Sequence, residues 1–327
     1  MAGFDGLLMR DSLNDTGTIP SPGYPYYSPD IICHAQVADP QTYFTQNYAS
    51  DPNQPVELGS QTNLIYTRTK NLAPTTMTGW YVHAYRASSS LFMTPSIWKG
   101  NPLSTRTGNP YVAMAPVPAN AVGVGPDAFL LSGLANHLFC LIAVASPTVV
   151  PTIPDSFASY GDYILWVRQN QNVCGRNLTY LQSYPNRQFS RLDNLTNPNS
   201  STVPVLAKVE VLGNLPAGTT FGVQCAPANM TASGNTSNTT VITGSGIVPA
   251  NFNGTVTTWG SLPSGTNTWP AGATLKTTLY YGQDSRHAAH QYGESWDSFD
   301  VGPKDIEGMP EDGVLVRLGD TGTVFLA

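Results

Sequence analysis

Gly79-Trp80-Tyr81-Val82-His83-Ala84-Tyr85 alternates with a period of two, with Trp80, Val82 and Ala84 on one side and Tyr81, His83 and Tyr85 on the other. Successive strand residues face opposite ways, so such a run can place one face in a core and the other against solvent. Outward from it, similar runs recur at spacings suited to a sandwich: 30–37, 63–70, 79–87, 110–117 and 137–145 in the first half. The second half continues with 163–168, 178–184, 203–212, 219–225, 239–248, 255–262, 273–281 and 313–326. Residues 227–272, rich in Asn, Thr, Ser and Gly, read either as loops or as flat polar strands of weakly specified register. The chain is expected to be all-β.

Composition supports that expectation. Only 11% of the 327 residues are charged and 41% are hydrophobic, against about 25% charged in an ordinary soluble domain. Few charges leave few solvated helical faces, while Thr, Tyr, Val and Trp suit a pleated, half-buried surface. The formal charge of −6 and pI near 5.2 argue against a nucleic-acid partner, which needs clustered Lys and Arg. The longest apolar run, Leu138 to Ala145, has the length of a buried strand and not of a membrane span. Met1 to Leu8 shows no signal-peptide pattern. Pro147, Pro151 and Pro154 punctuate a stiff connection, so the expected organisation is an extended N-terminal arm over residues 1–29, a first β-sandwich over 30–150, and a larger second one over 151–327 that ends in a C-terminal strand.

Arg10-Asp11, then Asp15 and Gly17, a proline, and Ser28-Pro29-Asp30-Ile31 resemble an opening used by bacterial surface and secreted proteins built from tandem adhesion-type (CARDB-like) immunoglobulin-like modules. Asn63-Leu64-Ile65-Tyr66-Thr67-Arg68-Thr69-Lys70-Asn71 resembles their apolar-Tyr-x-Arg-x-x-Asn strand, and Tyr85 with Pro95 and Trp98 is similar to the segment that follows. Gln171-Asn172-Val173-Cys174-Gly175-Arg176-Asn177 resembles the start of a second module. The resemblance covers residues 9–225, and Cys33 and Cys174 stand where other residue types are expected. It implies two tandem immunoglobulin-like sandwiches with a surface or assembly role, rarely catalytic.

A Leu-x-Asp-Thr-Gly-Thr cassette stands near both ends, at Leu13 and at Leu318. Asp11, Asn14, Asp15 and Asp320 could supply part of the six to eight oxygens that calcium needs, or could make local turn hydrogen bonds before a glycine. His287 and His290, with Glu294 nearby, are the one gathering of acid-base or zinc-competent groups, but they lack a third ligand and the spacing of a metalloprotease helix. His34, His83 and His137 lie within strand-like runs. Cys33, Cys140, Cys174 and Cys225 sit in apolar runs without zinc spacing, either as buried free thiols or as one bridge per domain, Cys33 with Cys140 and Cys174 with Cys225. Tyr24, Tyr26 and Tyr27 on the arm and Trp259, Trp269 and Trp296 in the second half are the candidate exposed aromatics, able to stack on sugars or anchor a partner. Trp80, Trp98 and Trp166 read as core.

These features point to a non-catalytic structural or adhesive protein, extracellular or at a cell surface. It would self-associate when residues 313–326 or the arm complete a neighbour's sheet. The competing expectation is a carbohydrate- or receptor-binding module of a secreted lectin or toxin, and a weaker one is a hydrolase acting through His287, His290 and Glu294.

Overall fold

The computed structural model describes residues 4–59, 62–87, 94–132 and 140–326. It is all-β, with four sheets stacked in two sandwich-like pairs. In the first pair, Asn63–Asn71 is the organising strand. It pairs with Leu7–Leu8, Ile31–Cys33, Val122–Val124 and Phe129–Leu131. Against it lies a sheet ordered Val173–Asn177, Cys140–Ser146, Tyr81–Ala87, Val112–Ala113. The core between them joins Ile65, Phe129 and Leu131 to Val82, Ala84, Leu141 and Ala143. Val82 and Ala84 therefore enter this core as their alternation requires, while Tyr85, on the opposite face, packs into a second core.

The second pair holds a sheet ordered Val241–Val248, Val203–Leu212, Thr274–Gln283, Val314–Phe325, Thr179–Gln182, Val56–Glu57. It covers a four-stranded sheet ordered Gln188–Asn197, Phe252–Ser261, Thr220–Cys225, Met230–Asn235. Residues 227–272, ambiguous between loop and strand, thus supply three strands. Their glycines have a specific use where the two sheets pinch together. A Cβ added at Gly246 would lie 2.1 Å from the Ala228 carbonyl oxygen, and one at Gly244 would lie 3.0 Å from the Ala232 Cβ. Only glycine allows that approach, so this side of the sandwich is closed.

The expected strand at 163–168 is instead part of helix Tyr160–Gln169. Tyr160, Tyr163, Ile164 and Val167 recur at helical spacing and are all buried. Ser159 caps the helix by accepting a hydrogen bond from the Asp162 amide. The β-prone side chains Tyr, Ile, Trp and Val concealed this period. The helix packs its apolar face between Tyr26, Tyr85 and Trp98 on one side and the second sandwich on the other, within one continuous core. Strand Gln188–Asn197 carries no apolar alternation in its sequence, because three of its inward residues, Arg191, Asp193 and Asn197, are polar.

The segment 147–154 runs between strands Cys140–Ser146 and Val173–Asn177, which pair antiparallel in a single sheet. Thr179–Gln182 also takes Val56–Glu57 from the first half in parallel. The segment read as an arm is stitched into the fold. Leu7, Leu8 and Met9 are buried, the Ser21 amide donates to the Arg168 carbonyl, and the Tyr26 hydroxyl shares a 2.5 Å hydrogen bond with that of Tyr160. Val314–Phe325 lies inside its own sheet, between Thr274–Gln283 and Thr179–Gln182.

The residues that carry the family resemblance meet in the interior. Asp30, fully buried, accepts from the Arg10 guanidinium at 2.7 and 3.1 Å and from Arg68 Nε at 2.8 Å, while Arg10 lies 3.5 Å from the centre of the Tyr48 ring. Asn71 and Asn197, each at the end of a long strand, make matching turns. Each side-chain oxygen accepts from the amide two residues on, and each Nδ2 donates to the carbonyl four residues on and to a distant one. All four cysteines are buried free thiols, so neither expected bridge is made. Cys140 and Cys174 are on adjacent strands but out of register, Cys140 opposite Asn177 and Cys174 opposite Ala143.

Candidate functional site

The four residues considered for calcium are distributed over two places that share no hydrogen-bond partner. Asp15 Oδ2 accepts from the Asp11 amide at 3.1 Å and Oδ1 from the Gly17 amide at 2.9 Å, with Gly17 at φ +87°, which closes the turn that the Asp and Gly spacing suggests. Asn14 is exposed. Asp11 is buried, accepts a short hydrogen bond from Ser21 Oγ through Oδ2, and leaves Oδ1 without a partner. Burial pushes its carboxyl up to about 8, against the opposing Ser21 hydrogen bond, and the neighbouring Asp15 adds to the rise. Among the described residues no three His, Cys, Asp or Glu side chains gather as a metal cluster.

Asp320 stands elsewhere, on the strand Val314–Phe325. Its Oδ2 accepts from Lys276 Nζ at 2.7 Å, from Arg317 at 2.9 Å and from the Tyr27 hydroxyl at 2.5 Å, and Oδ1 accepts from Asn177 Nδ2 at 3.3 Å. Burial alone would raise this carboxyl, but Arg317 and Lys276 overcome it and hold the group below its ordinary value. Asp320 borders a cleft of about 370 Å³, where Arg176 is bound to Asp51 at 2.5 Å. Every charge named here has an opposite partner, so the cleft is an ion network joining the N-terminal segment to the last strand.

The histidine region does not converge either. His287 Nε2 faces Asp162 at 3.3 Å, while His290 Nε2 faces the Asp312 carbonyl at 3.1 Å. Glu294 accepts from the Tyr24 hydroxyl at 3.0 Å. His83 is buried and His137 lies outside the described residues. Tyr24, Tyr26 and Tyr27, expected as exposed rings, each direct the hydroxyl to a residue of the second half.

The three tryptophans part ways. Trp269 is 1% exposed, stacks on Phe325 with ring centres 4.3 Å apart, and donates Nε1–H to the Asn186 carbonyl. Trp296 is half-buried, packs edge-on to Phe299 and donates to the Gly313 carbonyl. Trp259 sits on the outer face of the four-stranded sheet, half-buried. Its row runs Ser190, Trp259, Gly222, Ser233 across the four strands. A Cβ at Gly222 would lie 2.4 Å from Trp259 Cζ2 and 2.5 Å from Cε2. The indole therefore lies along the sheet, over the place a side chain would take at Gly222.

That outer face has a composition of its own. The inward positions of Gln188–Asn197, and those of Phe252–Ser261 from Val256 on, are buried while the alternate ones are not, and the outward residues of all four strands are Ser, Thr, Asn, Gln and Gly with Leu192 and Trp259. None is charged. The sheet also has an open side. Gln188–Asn197 is one of its two terminal strands and, among the described residues, pairs with Phe252–Ser261 alone. An open cavity of about 730 Å³, lined by Pro185, Asn186, Arg187, Gln188 and Asn267, begins at the start of that strand.

No protein-family profile matches the chain, and no curated protein matches it. Among solved structures it is similar to the crystal structure of Fet3p, a multicopper oxidase that functions in iron import, at 9% identity and a TM-score of 0.17. The match covers 82% of this chain and 51% of that one, so the chain spans about half the length of that structure. A likeness of this size carries no argument about fold or activity. No helix among the described residues is long and apolar enough to cross a membrane.

Proposed function

We propose that the chain is a non-catalytic structural and adhesive protein of two tandem immunoglobulin-like modules, which works at a surface or in an extracellular assembly by joining copies of itself. The observation that carries this reading is the open edge of strand Gln188–Asn197. Native edges are normally blunted by Lys, Pro, bulges, shortness or inward-pointing charges. This strand is ten residues long, contains no proline, and shows no charge outward. Its two charged residues point inward, but both are already buried and paired with each other, so a strand added at the edge would bury no free charge: Arg191 binds Asp193 at 3.2 Å and donates to Thr277, Thr321 and Thr323. The matching turns at Asn71 and Asn197 support a repeated module. Exchange of the last strand would first require it to leave the middle of its own sheet, so edge addition is the more economical contact. A glycan or cell-surface receptor is the second partner this reading admits, favoured by Trp259 alone among the three candidate tryptophans.

The test is size-exclusion chromatography with light scattering over a range of concentrations, with Leu192→Lys combined with Asn194→Lys as the comparison. The wild-type chain is expected to form dimers or larger species as concentration rises, and the double variant to stay monomeric with an unchanged circular dichroism spectrum. A wild-type chain that is monomeric at every concentration overturns the proposal.

A further inference from the structure

We infer that the outer face of the four-stranded sheet, centred on Trp259, is a binding platform for the flat face of a neutral polysaccharide. This inference rests on the adhesive reading above and gives the contact surface a ligand chemistry. Three observations carry it.

The first is the indole's position. Gly222 leaves room for the ring to lie along the sheet, where Trp259 stays half-buried and partly open to solvent. A flat ring so held presents its π face at almost no cost in side-chain order and suits the C–H face of a pyranose. Leu192, on the neighbouring strand one row from Trp259, extends the apolar strip.

The second is the absence of charge around it. In a chain with 15 Lys and Arg and 21 Asp and Glu, four adjacent strands direct none of them outward on this face. Ser190, Thr257 and Ser233 instead stand around the ring with hydroxyl groups, each able to donate and accept, as sugar hydroxyls require. An anionic polymer would find no cation on these strands to pair with it. A neutral one forfeits nothing.

The third is continuity. Gln188 belongs both to this face and to the 730 Å³ cavity beside it, so a polymer crossing the sheet has a path beyond the strands. The one cation there, Arg187, donates from Nε and a terminal nitrogen to the Leu262 carbonyl and is held against the backbone. Antiparallel pairing of two Gln188–Asn197 edges would place both faces on one side, with two indoles three strand spacings apart across the sheet, about 14 Å, and offset along it by the register. Both rings could then engage one polymer and raise its retention without any new contact.

The experiment is retention on microcrystalline cellulose, chitin and insoluble β-1,3-glucan, with polygalacturonate as the anionic comparison, at a protein concentration where light scattering shows monomer. The expected result is retention on at least one neutral polymer, unchanged in about 1 M NaCl because no ion pair contributes. Trp259→Ala should weaken retention about tenfold or more, Trp259→Tyr should keep most of it, and Trp296→Ala should leave it unaltered. Circular dichroism and thermal melts establish that each variant is folded. The inference is overturned if the wild-type chain is retained on no neutral polymer, if folded Trp259→Ala binds as well as wild type, or if salt abolishes retention. Self-association without retention would sink the platform and leave the open-edge reading intact, and retention by a chain that never associates would do the reverse.

Discussion

Asp11→Asn should make the protein more stable, and the gain should grow with pH. Asp11 is 2% exposed, its Oδ1 has no hydrogen-bond partner, and its carboxyl is pushed from 3.8 up to about 8, chiefly by burial. Between those two values the folded chain holds a proton at Asp11 that the unfolded chain has released. Stability then falls as pH rises, by about 1.4 kcal/mol per unit for one such group. From pH 5 to pH 8 the loss is about 4 kcal/mol. Asparagine keeps an oxygen to accept the Ser21 hydroxyl and has no charge to bury, so this slope vanishes in the variant. The assay is urea unfolding of both proteins at unit steps from pH 5 to pH 8, read as the difference between them, which cancels titrating groups not coupled to Asp11, such as Asp193. A difference that opens by about 3 to 5 kcal/mol agrees with the reasoning. Parallel curves, within about 0.5 kcal/mol throughout, would mean that Asp11 is charged in the folded chain at pH 5 and would refute it.

Three further outcomes follow from the packing. Asp30→Asn removes the charge shared by Arg10 and Arg68 inside the first sandwich and should cost about 3 to 5 kcal/mol in chemical unfolding; a loss under about 1 kcal/mol would show that the two guanidinium groups find other partners. Gly246→Ala forces a methyl group to within 2.1 Å of the Ala228 carbonyl and should cost about 1 to 3 kcal/mol, whereas Gly265→Ala, with nothing nearby but a φ of +87°, should cost less, about 1 kcal/mol. The four thiols are buried and burial raises them all, Cys33 to about 12, so a disulfide reagent at pH 8 should modify none in the folded chain and all four in guanidinium; fast reaction of the folded protein would contradict this burial.

Local pattern made the strands legible and left their partners out of reach. The alternation around Val82 and Ala84, the Thr- and Val-rich runs at Val203–Leu212 and Thr274–Gln283, and the low charge all signalled a pleated surface, because a strand's two faces are set by its own residues. Where β-prone side chains carry a helical period, as at Tyr160, Tyr163, Ile164 and Val167, propensity and periodicity conflict. There the apolar face bound for the shared core decided for the helix. Polar residues facing inward hid the strand at Gln188–Asn197, since Arg191 and Asp193 make sense as core residues only once Thr277, Thr321 and Thr323 are brought against them.

The candidate site divides along the same line. The sequence by itself determined that Trp259 lies in a run of Thr, Asn and Ser, and that its strand neighbours two positions away are uncharged, because a two-residue period puts them on one face. Only the tertiary structure decided that Gly222 stands beside Trp259, that Ser190 and Ser233 complete its row, and that the strand bearing Ser190 ends the sheet. It also decided that Asp15 and Asp320, set in near-identical cassettes, belong to different networks. The physical reason is that strand order and ion pairing join residues many positions apart, through hydrogen bonds and burial that no local stretch of sequence encodes.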